Sequence, residues 1–321
     1  MIECTKLTKR FGSLTALDAL TLSIGEGEIF GFIGPNGAGK STTMKILSCL
    51  LTQDAGTATV AGLDTRRNGD AIRAAIGYMP DFLGVYDDLV VDEYLQFFAA
   101  AFRIKRTRRK PLVQSVLELT DLTEKRLAPV SSLSRGMQQR LGIARVLIHE
   151  PKVLLLDEPA SGLDPRARIE MRSLLLELKA MGKTIMVSSH ILSELAEMCD
   201  SIGIIERGSL IYAGTIADAY KRVRAGDRVT ITFEPTTEQT PSEQTPAHQA
   251  ARAHAMLTGD ERLAEVTISG DRLIAELAPD QSSHHFLLEK LITAGLRIAA
   301  VVPQEIKLED AFLSLTEGRV Q

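Results

Sequence analysis

Three short runs of unbroken apolar character stand out in the first two-thirds of the chain: Ile29–Ile33, Val153–Leu156 and Thr184–Val187. Runs of four or five residues without a polar interruption are the pattern of strands buried on both faces, as in a parallel sheet covered by helices. Stretches of helical spacing alternate with them. Further on, Ile202–Ile205 and Leu210–Tyr212 flank Glu206, Arg207, Gly208 and Ser209, and that spacing predicts a β-hairpin. Between about residues 92 and 130 the strand pattern stops. There Tyr94, Phe97 and Phe98, and later Val113, Val116 and Leu117, fall at helical intervals. The expectation is an α/β domain over residues 1–225, with a mainly parallel sheet, an antiparallel hairpin and a helical insertion over about 82–132.

A second pattern begins at residue 226. Strands are expected over Arg228–Phe233, Glu265–Ile268, Leu273–Leu277 and Ile298–Val302, and helices over Phe286–Ala294 and Leu308–Leu315. This describes a small α+β domain over 226–321. It holds two near-copies of a polar, proline-bearing pentad, Thr237–Pro241 and Ser242–Pro246, so a flexible polar loop is expected over about 235–250.

Composition narrows the picture. The 321 residues are 45% hydrophobic and 24% charged, which excludes wholesale disorder, and the net charge of −4 offers no general attraction to nucleic acid. The basic run Lys105–Lys110 is expected to be a solvated loop between two helices. No apolar run approaches the roughly 18 residues of a membrane span. No secretory signal precedes the first strand-like segment, and Cys4, Cys49 and Cys199 are scattered without metal-ligand spacing. An intracellular protein is expected, with any membrane role supplied through a partner. His284 and His285 have no companion at zinc spacing and are expected on the surface.

The candidate chemistry starts at Gly34–Ser41, GPNGAGKS, which matches G-x-x-x-x-G-K-[ST] in full between a buried strand and a predicted helix. Gly34, Gly37 and Gly39 let backbone N–H groups converge on phosphate oxygens, with Pro35, Asn36 and Ala38 completing the loop. The helix N-terminus at Ser41 and Thr42 adds free donors and partial positive charge. Lys40 is placed to reach β- and γ-phosphates, and the Ser41 hydroxyl to ligate Mg²⁺. Asp157 and Glu158 close the apolar run Val153–Leu156, at the strand end where parallel sheets hold ligands. Asp157 suits a Mg²⁺ shell, and Glu158 suits the activation of an attacking water.

The segment Leu133–Pro151, LSRGMQQRLGIARVLIHEP, resembles the signature segment of ATP-binding cassette (ABC) proteins, whose usual core reads LSGGQ. Leu133, Ser134 and Gly136 match; Arg135 and Met137 depart from the usual Gly and Gln. Ser134 is a suitable helix N-cap, and Met137, Leu141, Ala144 and Ile148 form an apolar stripe behind it. The order of phosphate loop, signature, LLLDEP, SGLD and SSH is similar to that of the family. The resemblance implies a P-loop cassette, ATP as substrate with Mg²⁺, adenine stacking by Phe11, γ-phosphate contact by His190, and communication across a dimer by Asp164. It implies that Ser134, Arg135, Gly136 and Met137 act on the ATP of a second cassette, with a homodimer expected. Where the family usually has a Gln that touches Mg²⁺ and senses the membrane partner, this chain has Asp81.

The C-terminal KLEDAFLSLTEG resembles the closing segment of cassette subunits from bacterial exporters. By that resemblance the chain is expected to couple ATP hydrolysis to export through separate integral membrane permease subunits. It would sit on the inner face of the cell membrane, with no nucleic acid partner. The alternative is a soluble ABC ATPase acting on a non-transport partner.

Overall fold

The computed structural model describes all residues except 83, 85, 87, 192–194, 224–227, 236–244, 279, 280, 282 and 304–321. The chain divides into two units, one within Met1–Ile216 and one within Ala217–Ser314. The division lies at the start of a helix, Ile216–Val223, where the sequence pattern placed it at 225/226.

The first unit runs β1 (Ile2–Phe11), β2 (Leu14–Ile24), β3 (Ile29–Ile33), α1 (Lys40–Leu47), β4 (Ala55–Val60), β5 (Leu63–Asp64), α2 (Gly69–Ala75) and β6 (Ile76–Met79). It continues with α3 (Val91–Ala101), α4 (Arg106–Leu119), α5 (Arg135–Leu147), β7 (Val153–Leu156), α6 (Pro165–Ala180), β8 (Thr184–Ser189), β9 (Ser201–Glu206) and β10 (Ser209–Thr215). One sheet has the order β10-β9-β3-β8-β7-β6; every pair in it is parallel except the β9–β10 hairpin. All residues of β3, β7 and β8 are buried, as their apolar runs require. The hairpin turns on Arg207 and Gly208, both left-handed at φ +48° and +80°, the conformation of a two-residue turn that follows strand twist.

A second, antiparallel sheet, β2-β1-β4-β5, was not legible in the sequence. Its strands alternate imperfectly because register shifts at Leu7 and Lys9 break the period of two, with Lys6 left-handed at φ +49°. Leu7, Leu17 and Leu20 from this sheet join Met44 and Ile46 of α1 and Phe30, Phe32 and Leu155 of the parallel sheet in one core. That packing fixes the helix that follows the phosphate loop.

Within residues 82–132 the described elements include α3 and α4, where Tyr94, Leu95, Val113 and Leu117 are fully buried. The basic run corrects one expectation. Residues 106–110 are not a loop but the first turns of α4, with Lys105 as N-cap. Apolar periodicity begins only at Val113, so those turns carried no pattern. They are held by Arg109 Nε donating to the Ile104 carbonyl (2.8 Å) and by an exposed Arg108–Glu150 pair (3.2 Å).

The second unit holds α7 (Ile216–Val223, from Ala217 onward), β11 (Arg228–Phe233), α8 (Pro246–Leu257), β12 (Leu263–Ser269), β13 (Arg272–Leu277), α9 (His285–Thr293) and β14 (Ile298–Pro303). From β11 the order is βαββαβ, with an antiparallel sheet in the order β12-β13-β11-β14, the ferredoxin-like arrangement. Val229, Ile231, Phe233, Leu257, Leu273, Leu287 and Leu291 form its own core. The polar loop expected over about 235–250 ends sooner. Thr245 caps α8, its hydroxyl accepting from His248 N (3.3 Å), with Pro246 in the first turn. The helix expected over Leu308–Leu315 lies outside the described residues.

Because each unit has a separate core, a chain ending at residue 225 is expected to fold and to bind nucleotide. A cooperative thermal transition that rises on adding ATP checks this; aggregation with no ATP-dependent shift refutes it.

Candidate functional site

The phosphate loop joins β3 to α1 and is shaped by contacts that only glycine permits. A Cβ at Gly34 would collide with the Ile205 carbonyl, and one at Gly39 (φ +112°) would stand 2.7 Å from the Ala16 carbonyl. The loop is also tied to the hairpin turn: Gly208 N donates to Ala38 O at 2.9 Å. Lys40 is buried, and its ammonium donates to Gly34 O (2.6 Å) and Pro35 O (3.3 Å). Ser41 is exposed at the mouth of the loop, Thr42 is half-buried, and Asn36 and Gly37 face solvent.

The acids follow β7. Asp157 is buried, its N–H donating to Met79 O (2.8 Å) and its Oδ1 accepting from the Ser188 hydroxyl (2.6 Å). The same Ser188 oxygen accepts from Glu158 N (2.9 Å). This hydroxyl, which the sequence reading passed over inside VSSH, fixes both acids at once. Glu158 is left-handed at φ +52°, a conformation that a non-glycine residue adopts at a cost of about 1–3 kcal/mol. The turn aims its carboxylate back at the phosphate loop. Oε2 meets His190 Nδ1 at 2.8 Å; Oε1 is buried without a hydrogen bond, 3.5 Å from Lys40 Nζ. A carboxylate anchored through one oxygen with the other open can receive a proton from a water placed beside it.

Asp81 is exposed just beyond β6 but electrostatically part of this cluster. Burial at the site's edge, then the charges of Asp157 and Glu158, push its carboxyl above the ordinary range, while Arg135 and His190 pull the other way. Phe11 is exposed at the β1–β2 turn with Lys9 Nζ 5.4 Å from its ring centre, on the hairpin whose second strand abuts Gly39.

The signature residues occupy the N-terminus of α5. Ser134 is its cap, accepting from Met137 N (3.3 Å), and Arg135 lies against Gly162. A Cβ on Gly136 would touch Ala167 Cβ at 3.2 Å, so α5 and α6 meet closely here. Asp164 caps α6, accepting from Ala167 N (2.9 Å), with Pro165 next. Among the described residues no hydrogen bond or ion pair joins Ser134–Met137 to the loop 34–42.

Comparison with known proteins decides the family. Residues 17–161 match the model of the ABC transporter family. The chain is 35% identical to Nod factor export ATP-binding protein I of Paraburkholderia xenovorans over 320 residues, covering 100% of this chain and 98% of that protein. The chain belongs to the ABC transporter family. Within it, the chain is also 38% identical over 239 residues to the probable multidrug ABC transporter ATP-binding protein YbhF of Escherichia coli. That match covers 74% of this chain and 40% of YbhF, so the ABC chain spans about two-fifths of that relative's length. Among solved structures, a dimeric post-hydrolysis state of the ATP-binding cassette MJ0796 bound to ADP and Pi aligns with TM-score 0.61 and 26% identity, over 67% of this chain and 99% of that one.

Ser188→Ala is expected to lower stability by about 1–3 kcal/mol, because it strips a buried carboxylate oxygen and a strained N–H of their shared partner. Urea denaturation measures it. Stability equal to the parent chain would mean that the hydroxyl does not carry these two acids.

Proposed function

We propose that this chain is the ATP-binding and ATP-hydrolysing subunit of an ABC exporter, working as a pair of cassettes beneath separate membrane-spanning subunits. The observation that carries the reading is Glu158, whose one buried oxygen, without a hydrogen bond, is ion-paired at 3.5 Å with the phosphate-loop Lys40 while His190 holds the other.

In this reading the Gly34–Thr42 loop and the N-terminus of α1 receive the phosphates of ATP, and Lys40 exchanges its carbonyl partners for phosphate oxygens. Phe11 stacks on the adenine. Glu158 accepts a proton from water as the water oxygen attacks the γ-phosphorus. The bond to the bridging oxygen then breaks, and ADP and phosphate leave. His190 keeps the Glu158 carboxylate aligned and faces the γ-phosphate.

The donors fit Mg²⁺. Ser41, Asp157 and Asp81 offer hard oxygen ligands, yet no group of three or more His, Cys, Asp or Glu side chains among the described residues forms a cage. Mg²⁺ is the ion that binds through one or two side chains together with substrate phosphates. When bound, it neutralises charge on the β- and γ-phosphates.

Among the described residues the signature residues make no hydrogen bond or ion pair with their own loop, which supports their service to a partner's ATP. Ser134, Arg135, Gly136 and Met137 present a helix N-terminus that attracts triphosphate, and Asp164 lies beside them. Two chains then close over two ATP molecules and part after hydrolysis, a population shift set by the ligand. No helix among the described residues is long and apolar enough to cross a membrane. In this reading the cargo path belongs to other chains, with this subunit on the inner face of the membrane. Export follows from the similarity to a Nod factor export protein and a probable multidrug transporter protein.

Glu158→Gln is expected to retain ATP binding and lose about 10²–10⁴-fold in turnover, with an ATP-stabilised dimer accumulating in light scattering. Turnover near that of the parent chain would remove Glu158 from its role. Lys40→Ala and Ser134→Arg chains are each expected to be inactive. Mixed together they restore one complete composite site per hybrid dimer, and ATPase assay of the mixture reads it. Hybrid dimers that form without activity would exclude site sharing.

A further inference from the structure

The first helix of the insertion, α3, is closed at its C-terminus by Phe102, and α5 is followed by Ile148 and His149. The Phe102 and His149 rings lie face to face, their centres 3.9 Å apart and their planes within 8° of parallel. The edge of the same imidazole reaches the sheet. Its Nε2 stands 2.8 Å from the carbonyl of Ile76, the first residue of β6. One side chain thus touches both the insertion and the strand that leads to the site. At the other end of β6, the Met79 carbonyl receives the Asp157 N–H at 2.8 Å.

These contacts define the protonation of the ring. A carbonyl only accepts, so the hydrogen sits on Nε2. The other nitrogen, Nδ1, is buried and has no hydrogen-bond partner among the described residues. A bare ring nitrogen is tolerable there. A second proton on Nδ1 would enclose a cation together with a donor that has nothing to donate to. Burial accordingly holds the imidazole below the ordinary histidine pKa, against the opposing pull of the Ile76 carbonyl, and the Lys183 ammonium adds to the depression.

The surrounding charges are committed elsewhere. Lys183, in the turn before β8, donates to Pro151 O at 2.6 Å and repels a second cation. Glu150, next in the chain, pairs with Arg108 of α4 at 3.2 Å. Arg145, one turn back on α5, faces the Tyr94 hydroxyl (3.3 Å) and the Phe98 ring (5.3 Å). On α2, which runs into β6, Asp70 and Arg73 pair with each other; Arg103 beside Phe102 and Lys152 are exposed. Among the described residues no carboxylate pairs with His149 to welcome its proton.

We propose that His149 is an acid-sensitive joint between the helical insertion and the parallel sheet: neutral, it clasps Phe102 with its face and the Ile76 carbonyl with its edge, and protonation of Nδ1 weakens both holds. The folded state binds this proton less readily than the unfolded chain. The joint's contribution is therefore complete above the unfolded histidine pKa of about 6.5, and is lost as pH falls through the lower folded value.

The test uses the full chain without nucleotide, so it can fail while the ATPase reading stands, and the reverse. His149→Gln keeps an amide able to donate to Ile76 O but cannot titrate. At pH 7.5 the parent Tm is expected to exceed that of His149→Gln by about 2–4 °C, and this advantage to vanish toward pH 5.5. Hydrogen–deuterium exchange, corrected for its intrinsic pH dependence, is expected to quicken at 76–79 and 98–104 on acidification of the parent and to stay level in the variant. Phe102→Leu, a change at an exposed ring, is the second variant. It lets water reach the imidazole, and the acid response at 76–79 is expected to shrink. A Tm difference between parent and His149→Gln that is constant with pH would overturn the joint. So would an acid response of exchange at 76–79 that is the same in the parent and in Phe102→Leu.

Discussion

The register of three buried parallel strands is the constraint on which the site depends. In the ladder, Ile33 of β3 pairs with Ser189 of β8, and Val187 of β8 pairs with Leu156 of β7. The phosphate loop, the acids and the VSSH serines therefore leave the sheet at one level of one edge. A slip of one residue between β7 and β8 would turn Ser188 away from Asp157 and Glu158 and exchange every buried side chain for its neighbour. Because these strands are apolar on both faces, the sheet gains nothing from exposing either. What holds the register is packing against α1 and the antiparallel sheet and the fixed ends: Gly34 against Ile205, Asp157 N on Met79 O.

On that frame the site gathers charges that would separate in water. Lys40 and Asp157 are buried, and the Glu158 carboxylate is nearly so. Buried charges are tolerated only when paired and hydrogen-bonded. Here carbonyls of the loop take the ammonium, Ser188 takes Asp157, and His190 takes one Glu158 oxygen. The arrangement leaves one oxygen of Glu158 without a hydrogen bond and its backbone left-handed. Those two departures from ordinary satisfaction fall on the residue assigned to the proton transfer, as expected where reactivity rather than stability shapes a position.

The second unit obeys simpler physics. Its sheet alternates buried and exposed positions along β11 and β13, with Val229, Ile231 and Phe233 facing the same core as Leu273, Ala275 and Leu277. That alternation is why its strands were readable. α8 was hidden because its fully buried face is built from Gln249, Ala250 and Ala253, with Leu257 its one large apolar member, and because it starts at a proline inside a polar repeat.

The sequence by itself determined the buried strands β3, β7 and β8, the hairpin, the helical insertion and the strands of the second unit, because burial forces apolar periodicity onto the chain. It also named the phosphate loop and the acids, because phosphate binding needs glycine, lysine and a hydroxyl at fixed spacing, and the resemblance of Leu133–Pro151 to the signature segment pointed to the family. Tertiary structure alone decided the rest. The β2-β1-β4-β5 sheet escaped notice because its register shifts erase the period of two. The helical form of residues 106–110 depends on contacts with Ile104 and Glu150, not on a pattern. Ser188 bridging two acids 30 and 31 positions away is a meeting of residues far apart in sequence. Local pattern records what each residue prefers next to its neighbours; only packing brings distant charges and hydroxyls within reach of one another.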